Sequence, residues 1–381
     1  MLKQKHKSRP AGVVALATFA FLVAAATLLT AQPVAAATYN VTSTSLTGPG
    51  SFVEAIELAN NNPGADIILF DLGLQVDASN SFEVNPFTSS SGEPLVAQIT
   101  ESVTIDGNGG ALNGVQSWVD LSGNLNNTSF CPGSKRGQEK WLIFAEMPGF
   151  IEVGPYNKDN SGIDVTVKNL TIQQFNSVGL VNKNASLTFE NFKAYKTWNT
   201  YRCTAKGLIG AKEGAKLTIR DSEFTDFVAW AGPGLGTAIV GGQGVGDLEI
   251  ERSVFKRTSH ERTQFLINWV GEAGSKVNIV SSRFQEAGGI LILGDGETNF
   301  VNSIWVGSNS SAPDFGERFL NESSGDMNII ASSLRWVGNN CPGDATSSLC
   351  DVYSIEYLIE TRGSGNINFI QSAVGFNIPN Q

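Results

Sequence analysis

Three arginines recur where charge chemistry could gather at one strand edge: Arg220, Arg252 and Arg283, with Asp221, Glu223 and Glu251 close by in sequence. Cations beside carboxylates can do acid–base work, or they can simply hold one another. Arg220 and Glu251 fall at the same outward position of adjacent repeats, so a charge ladder is the reading adopted; exposed ion pairs are common and individually weak. A second cluster lies in "TSHERTQF" (258–265), where His260, Glu261 and Arg262 share a corner loop. Such loops carry function, yet a lone histidine without a placed partner reads as a solvated loop residue.

Other chemical signals are weaker. "TIDGNGG" (104–110) has the glycines of a phosphate-cradling loop but no helix after it. Four cysteines, Cys131, Cys203, Cys341 and Cys350, make an even set. In an exported chain that reads as two disulfides. Cys341 and Cys350 bracket the turn-rich "CPGDATSSLC" and are paired on that ground, leaving Cys131 with Cys203. No C-x-x-C occurs, which argues against a zinc site. N-x-S/T triplets stand at Asn40, Asn126, Asn127, Asn169, Asn184, Asn309 and Asn321, and matter only in a glycosylating host.

The elements that must position these residues repeat. "KLTIRDSEF", "DLEIERSVF" and "KVNIVSSRF" are one phrase said three times. Taking the first apolar residue of each unit as anchor gives Val165, Leu187, Leu217, Leu248, Val277, Thr298, Met327 and Ile367, with Val103 a looser match. From Leu187 the spacings are 30, 31, 29, 21, 29 and 40 residues. Five positions after the anchor stand Ser222, Ser253, Ser282, Ser303, Ser332 and Ser372; seven after it stand Phe224, Phe255, Phe284, Trp305, Leu334 and Val374. One after it stand Asn278, Asn299, Asn328 and Asn368, an expected hydrogen-bonded ladder rather than a ligand array. Each anchor follows an apolar strand and a Gly-rich turn. Periods of this size mean solenoids, propellers or arrays. Propeller blades need more residues and antiparallel hairpins, whereas a parallel β-helix lets one corner loop lengthen freely. The expectation is an all-β fold: a single right-handed parallel β-helix with stacked serine and aromatic columns.

At the N-terminus, Phe52, Ile56 and Ala59 have helical spacing, with Ser51 as N-cap and Glu54 three residues on. This predicts a short capping helix just before the first strand, as solenoids require. Residues 1–37 read as a signal peptide: a basic "MLKQKHKSRP", an apolar run, and A-x-A cleavage after Ala36 or Ala37. Residues 38–110 are then the cap and first coils, and 111–381 the remaining coils with loop insertions. Removing the leader takes away Lys3, Lys5, Lys7 and Arg9 and no acid, so the net charge moves from −10 to −14. A chain that acidic is expected to repel nucleic acid and anionic membranes, and acidic polysaccharides too unless calcium or a local Lys/Arg groove intervenes; no nucleic-acid partner is expected. No second stretch is long enough to span a bilayer. His260 is the only histidine of the mature chain.

The run "TGPGSFVEAIELANNNPGADIILF" followed by "ITESVTIDGNGG" resembles the opening of exported bacterial right-handed parallel β-helix proteins of the pectin-lyase-like superfamily, many with a choice-of-anchor C-terminus. Ser51–Ile56, Ala59–Asn60, Pro63–Phe70 and Thr104–Gly107 match, with Phe52-Val53 where Leu-Arg is usual. The resemblance implies the fold and an exported or surface location. Enzymes of that superfamily cleave acidic polysaccharides, either with calcium-holding carboxylates and an Arg or Lys base, or with paired aspartates that activate water. No Asp-Asp pair lies on the regular strands and no "NTD…DD…GHG…RIK" series occurs, so the hydrolase pattern is missing.

The expected role is a non-catalytic module, structural or binding an extracellular polysaccharide or surface protein, with no cofactor. The competing reading is a pectate-lyase-like enzyme working by β-elimination, with calcium and Arg252, Arg283 or His260 in its groove. "FNIPNQ" follows the last repeat by a few residues, so the terminal coil is expected to be covered by that tail or by another copy of the chain.

Overall fold

Apolar residues two apart, a glycine-rich turn before them and a serine bend after them dictate short strands joined by corners. The computed structural model describes residues 35–78, 87–88, 94–114, 149–175, 177–195, 198–199, 208–226, 228–229, 238–256, 265–287, 289–308, 319–337 and 359–377. Their strands stack into three long sheets. The first has eleven strands, from Thr38–Val41 and Asp66–Phe70 through Val103–Asp106, Asp164–Lys168, Ser186–Glu190, Lys216–Arg220, Leu248–Glu251, Lys276–Val280, Glu297–Val301 and Met327–Ile330 to Ile367–Ile370. The second has ten, from Gln75–Asp77 to Ala373–Asn377. The third also has ten and ends with Ile359–Thr361; its pairings are parallel except for Phe87–Thr88 against Pro94–Ile99. From Val103 onward each coil contributes one strand to each sheet in turn, the arrangement of a β-helix-like solenoid. Trp198–Asn199 and Val228–Ala229 form a separate two-stranded pair.

The register is the one the repeat demands. Leu187 lies beside Leu217, Leu217 beside Leu248, Leu248 beside Val277, Val277 beside Thr298, Thr298 beside Met327 and Met327 beside Ile367. Val103 joins the same column beside Val165. The variable spacing has a single source: the long gaps in the coils fall between a second-sheet strand and the following third-sheet strand, as between Thr225 and Ala238, or Val337 and Ile359. The stacked strands are therefore undisturbed by loop length.

Inward columns fill the core. Phe224, Phe255 and Phe284 are fully buried. Their rings stack at 4.9 Å and 8° between the first two, then 5.2 Å and 16° between the last two. Offset stacking of this kind adds to the hydrophobic term of burying the rings. Between the first and second sheets each coil turns through one left-handed residue: Asn169, Asn191, Asp221, Arg252, Ser281, Asn302, Ala331 and Gln371, with φ from 45° to 53°. The serine follows. The N–H of Phe192 donates to Ser222 Oγ, Ser222 N–H to Ser253 Oγ, Ser253 N–H to Ser282 Oγ, Ser282 N–H to Ser303 Oγ, Ser303 N–H to Ser332 Oγ and Ser332 N–H to Ser372 Oγ, all at 3.0 or 3.1 Å. Each hydroxyl donates to the carbonyl two residues before it, as Ser222 does to Arg220 at 2.6 Å. The column thereby satisfies buried backbone donors that the corner takes out of the ladders.

The helix spans Phe52–Asn60, with Ser51 Oγ accepting from Glu54 N–H at 3.2 Å. The returning contact differs from a regular capping box: Glu54 Oε2 accepts from Gly50 N–H at 2.6 Å, one residue before the cap. Phe52, Val53, Ala55, Ile56 and Ala59 are buried, and Phe52 lies 5.3 Å from Phe70 and 6.4 Å from Phe150, closing the upper end of the core. The helix does not precede the first strand. Thr38–Val41 comes before it and pairs with Asp66–Phe70, so the cap is an insertion between two rungs.

Candidate functional site

The outward face of the first sheet is the longest regular surface among the described residues. Strand alternation sends the positions next to the inward anchor to this face. One position after the anchor, Thr104, Thr166, Thr188 and Thr218 stand in register, followed by Glu249 and then Asn278, Asn299, Asn328 and Asn368. Three after it run Asp106, Lys168, Glu190, Arg220 and Glu251, then Val280, Val301, Ile330 and Ile370. The face thus changes character halfway along, from hydroxyls beside alternating charges to amides beside aliphatic side chains.

In the first half the charges hold one another. Lys168 Nζ lies 3.3 Å from Asp106 Oδ2, and Arg220 reaches Glu249 at 2.7 Å and Glu251 at 3.6 Å. Hydrogen bonding to Glu249 raises the Arg220 pKa above its ordinary value. Burial works to raise the Asp106 carboxyl, but hydrogen bonds from Asn169, the Asn108 amide and Lys168 outweigh it and hold the group low. At the corner Arg252 grips Asp221 with Nε at 2.7 Å and Nη2 at 2.8 Å, while its Nη1 lies 3.1 Å from Glu251. The Asp221 bond raises Arg252 further and in turn lowers Asp221. A guanidinium so held stays protonated and offers no base. The four threonine hydroxyls of the face, by contrast, have no hydrogen-bond partner among the described residues.

In the second half the expected amide ladder is present. Asn299 Nδ2 donates to Asn278 Oδ1 at 3.1 Å, Asn328 to Asn299 at 3.0 Å and Asn368 to Asn328 at 2.9 Å.

The arginines singled out in the sequence are not gathered into one cleft. Arg220 is on the first sheet, Arg252 on the corner, and Arg283 opens the second-sheet strand Arg283–Ala287, beside Val254 and Ile304. Glu223 is on the second sheet and accepts from Lys256 Nζ at 3.3 Å. The ladder reading of Arg220 with Glu251 is the arrangement observed. His260, Glu261, Arg262 and all four cysteines, Cys131, Cys203, Cys341 and Cys350, lie outside the described residues, as do Asn126, Asn127, Asn309 and most of the leader. No group of three or more His, Cys, Asp or Glu side chains among the described residues is placed to hold a metal ion. No helix among them is long and apolar enough to cross a membrane. Of the described glycosylation triplets, Asn40 is exposed. Asn321 is buried with its amide donating to Gly325 O at 3.0 Å, and Asn169 and Asn184 donate theirs to Asp106 and Asp159.

The threonine row was missed in the sequence because threonine is common in strands and the first of its anchors, Val103, is a loose match. Its signal is Thr one residue after Val103, Val165, Leu187 and Leu217.

No family model matches the sequence, and no curated protein does. A solved structure from Geobacillus virus E2, ORF18, aligns with 99% of this chain at 10% identity and a TM-score of 0.33. This chain spans 66% of the length of that protein.

Proposed function

We propose that this chain is an exported, non-catalytic binding module whose ligand lies along the first-sheet face, and that the ligand is a neutral, hydroxyl-rich polysaccharide. The observation that carries the reading is the contrast on that face: Lys168 and Arg220 are engaged by neighbouring carboxylates, while the hydroxyls of Thr104, Thr166, Thr188 and Thr218 stand in a row with no hydrogen-bond partner among the described residues. Acids outnumber bases there, with Asp106, Asp164, Glu190, Asp247, Glu249, Glu251, Glu297 and Asp326 against Lys168, Lys216, Arg220 and Lys276. Such a surface repels a polyuronate. The reading also takes the solenoid as right-handed, since parallel crossovers almost always are, and as a member of the pectin-lyase-like superfamily on the N-terminal motif. Export rests on the leader sequence.

The test is a glycan array carrying neutral and uronate polymers, with and without calcium, read beside an ultraviolet assay for unsaturated sugar. Binding to neutral glycans without turnover is expected. It should weaken in the Thr166→Val, Thr188→Val double variant while the circular dichroism stays unchanged. Unsaturated product from a uronate polymer, or no glycan binding at all, would overturn the proposal.

A further inference from the structure

Glu152, Asn182 and Lys212 take no part in the serine column, the amide ladder or the first-sheet face. Glu152, in the third-sheet strand Gly149–Val153, and Asn182, just past the strand Ser177–Val181, are both fully buried. The Asn182 amide donates to Glu152 Oε1 at 2.7 Å and to Gly154 O at 2.6 Å. Both bonds use Nδ2; Oδ1 is buried and has no hydrogen-bond partner among the described residues. Lys212 follows the strand Ile209–Ala211, one coil further on. Val181 pairs with Ala211, and Lys212 N–H donates to Val181 O at 2.9 Å, so Lys212 stands beside Asn182 in the stack.

The lysine side chain leans back over that neighbour. Its Nζ is itself buried and lies 3.5 Å from the centre of the Tyr156 ring. Tyr156 belongs to the corner that leaves Val153, and Val153, Val181 and Ala211 are successive rungs. To reach that ring the amine crosses the Asn182 rung. Each group carries chemistry. A lysine amine is a nucleophile where water is kept from it, and the ring covers this one. The carboxamide carbonyl of Asn182 is unengaged, while its nitrogen, the leaving group, rests on a carboxyl that can carry a proton. Holding an ammonium and a carboxylate out of water is costly. An amide in place of the ammonium removes one of those charges.

From this geometry we infer that Lys212 and Asn182 join in an intramolecular amide, a covalent cross-link between adjacent coils at the corner after the third sheet. Lys212 Nζ, as the neutral amine, attacks Asn182 Cγ; the Nζ–Cγ bond forms and the Cγ–Nδ2 bond breaks. One Nζ hydrogen passes through Glu152 to Nδ2, which departs as ammonia, and Glu152 ends as it began. No electrons are exchanged and no co-reactant is needed. The link closes the chain between 182 and 212 into a loop, which constrains the unfolded state as a disulfide does. It goes beyond the ligand reading and does not depend on it.

The experiment is peptide mapping by mass spectrometry on the folded chain, reduced before digestion. A cross-linked species is expected that contains Asn182 and Lys212 and is lighter than its two peptides together by one ammonia. Lys212→Arg and Glu152→Gln should each return the two peptides at their full masses. Lys183→Arg, at the exposed lysine that bonds Glu213, should keep the link. Separate peptides at full mass from the parent would overturn the inference, as would a link from Lys212 to any residue other than Asn182. A link that survives in Glu152→Gln would overturn the part given to Glu152. The parent's map alone decides the bond, whether or not each variant folds.

Discussion

The backbone N–H of Ser222 donates to the hydroxyl of Ser253 on the next coil at 3.1 Å, and that hydroxyl donates to the carbonyl of Glu251 at 2.7 Å. One side chain thus satisfies a neighbouring coil and its own corner at once. Ser253→Ala leaves the Ser222 N–H without its acceptor in a buried position. The expected loss is about 1–3 kcal/mol in a urea titration followed by circular dichroism. A variant as stable as the parent would show that the serine column does not bind the coils together.

Thr298 makes the opposite case. It occupies the anchor position that Leu248, Val277 and Met327 fill with apolar side chains, it is 3% exposed, and its Oγ1 has no hydrogen-bond partner among the described residues. Thr298→Val removes a buried, unbonded hydroxyl and keeps the shape. Stability should rise by about 1 kcal/mol. A loss of stability on the same titration would mean that the hydroxyl has a partner in solution.

Close backbone approach sets a further requirement. A Cβ on Gly325 would come within 2.0 Å of Gly296 O, whereas one on Gly375 would meet nothing within 4 Å. Gly325→Ala should therefore cost stability and Gly375→Ala should not. Equal thermal midpoints for the two variants would contradict the stacking at that turn.

The carboxyls of this chain fix its acid limit. Hydrogen bonding from Ser161 and Asn184 brings Asp159 down to about 2. Asp221 is lowered by Arg252, and Asp326 by the Asn366 amide. A carboxyl whose folded pKa is depressed contributes stability above the unfolded value, near ~3.9 for aspartate, and loses it as pH falls through the folded value. The thermal midpoint should hold from neutral pH to about pH 4 and fall between about pH 4 and 2. A midpoint that stays level to pH 2, or that falls already near neutrality, would contradict these bonds.

Much of this was legible in the sequence, for a physical reason: stacked positions share one environment, so the serine bend and the Phe224, Phe255 and Phe284 column repeat as letters. The corner residue was not legible. Asn169, Asn191 and Asp221 are types that tolerate a left-handed backbone, but Arg252, Ser281, Ala331 and Gln371 take the same φ with no such tendency. There the coil geometry overrides preference. The first rung was hidden because Thr38–Val41 is separated from its partner strand by the helix. The charge ladder was visible only at Arg220 and Glu251. Its upper part, Asp106, Lys168 and Glu190, stands three residues after Val103, Val165 and Leu187, but these positions alternate in sign without forming a repeated letter, so only the observed register shows them as one row.

The most direct test of the coil-on-coil register is a set of distances along one column. Nitroxides on encoded keto side chains, which leave the cysteines untouched, would be placed at Thr104 with Asn278, Asn299 or Asn328. These positions are linked strand by strand through Thr166, Thr188, Thr218 and Glu249. At ~4.8 Å per coil the separations should rise as about 24, 29 and 34 Å. Distances that stay level or turn back as the second label moves down the chain would contradict a stacked solenoid and favour strands set around a hub.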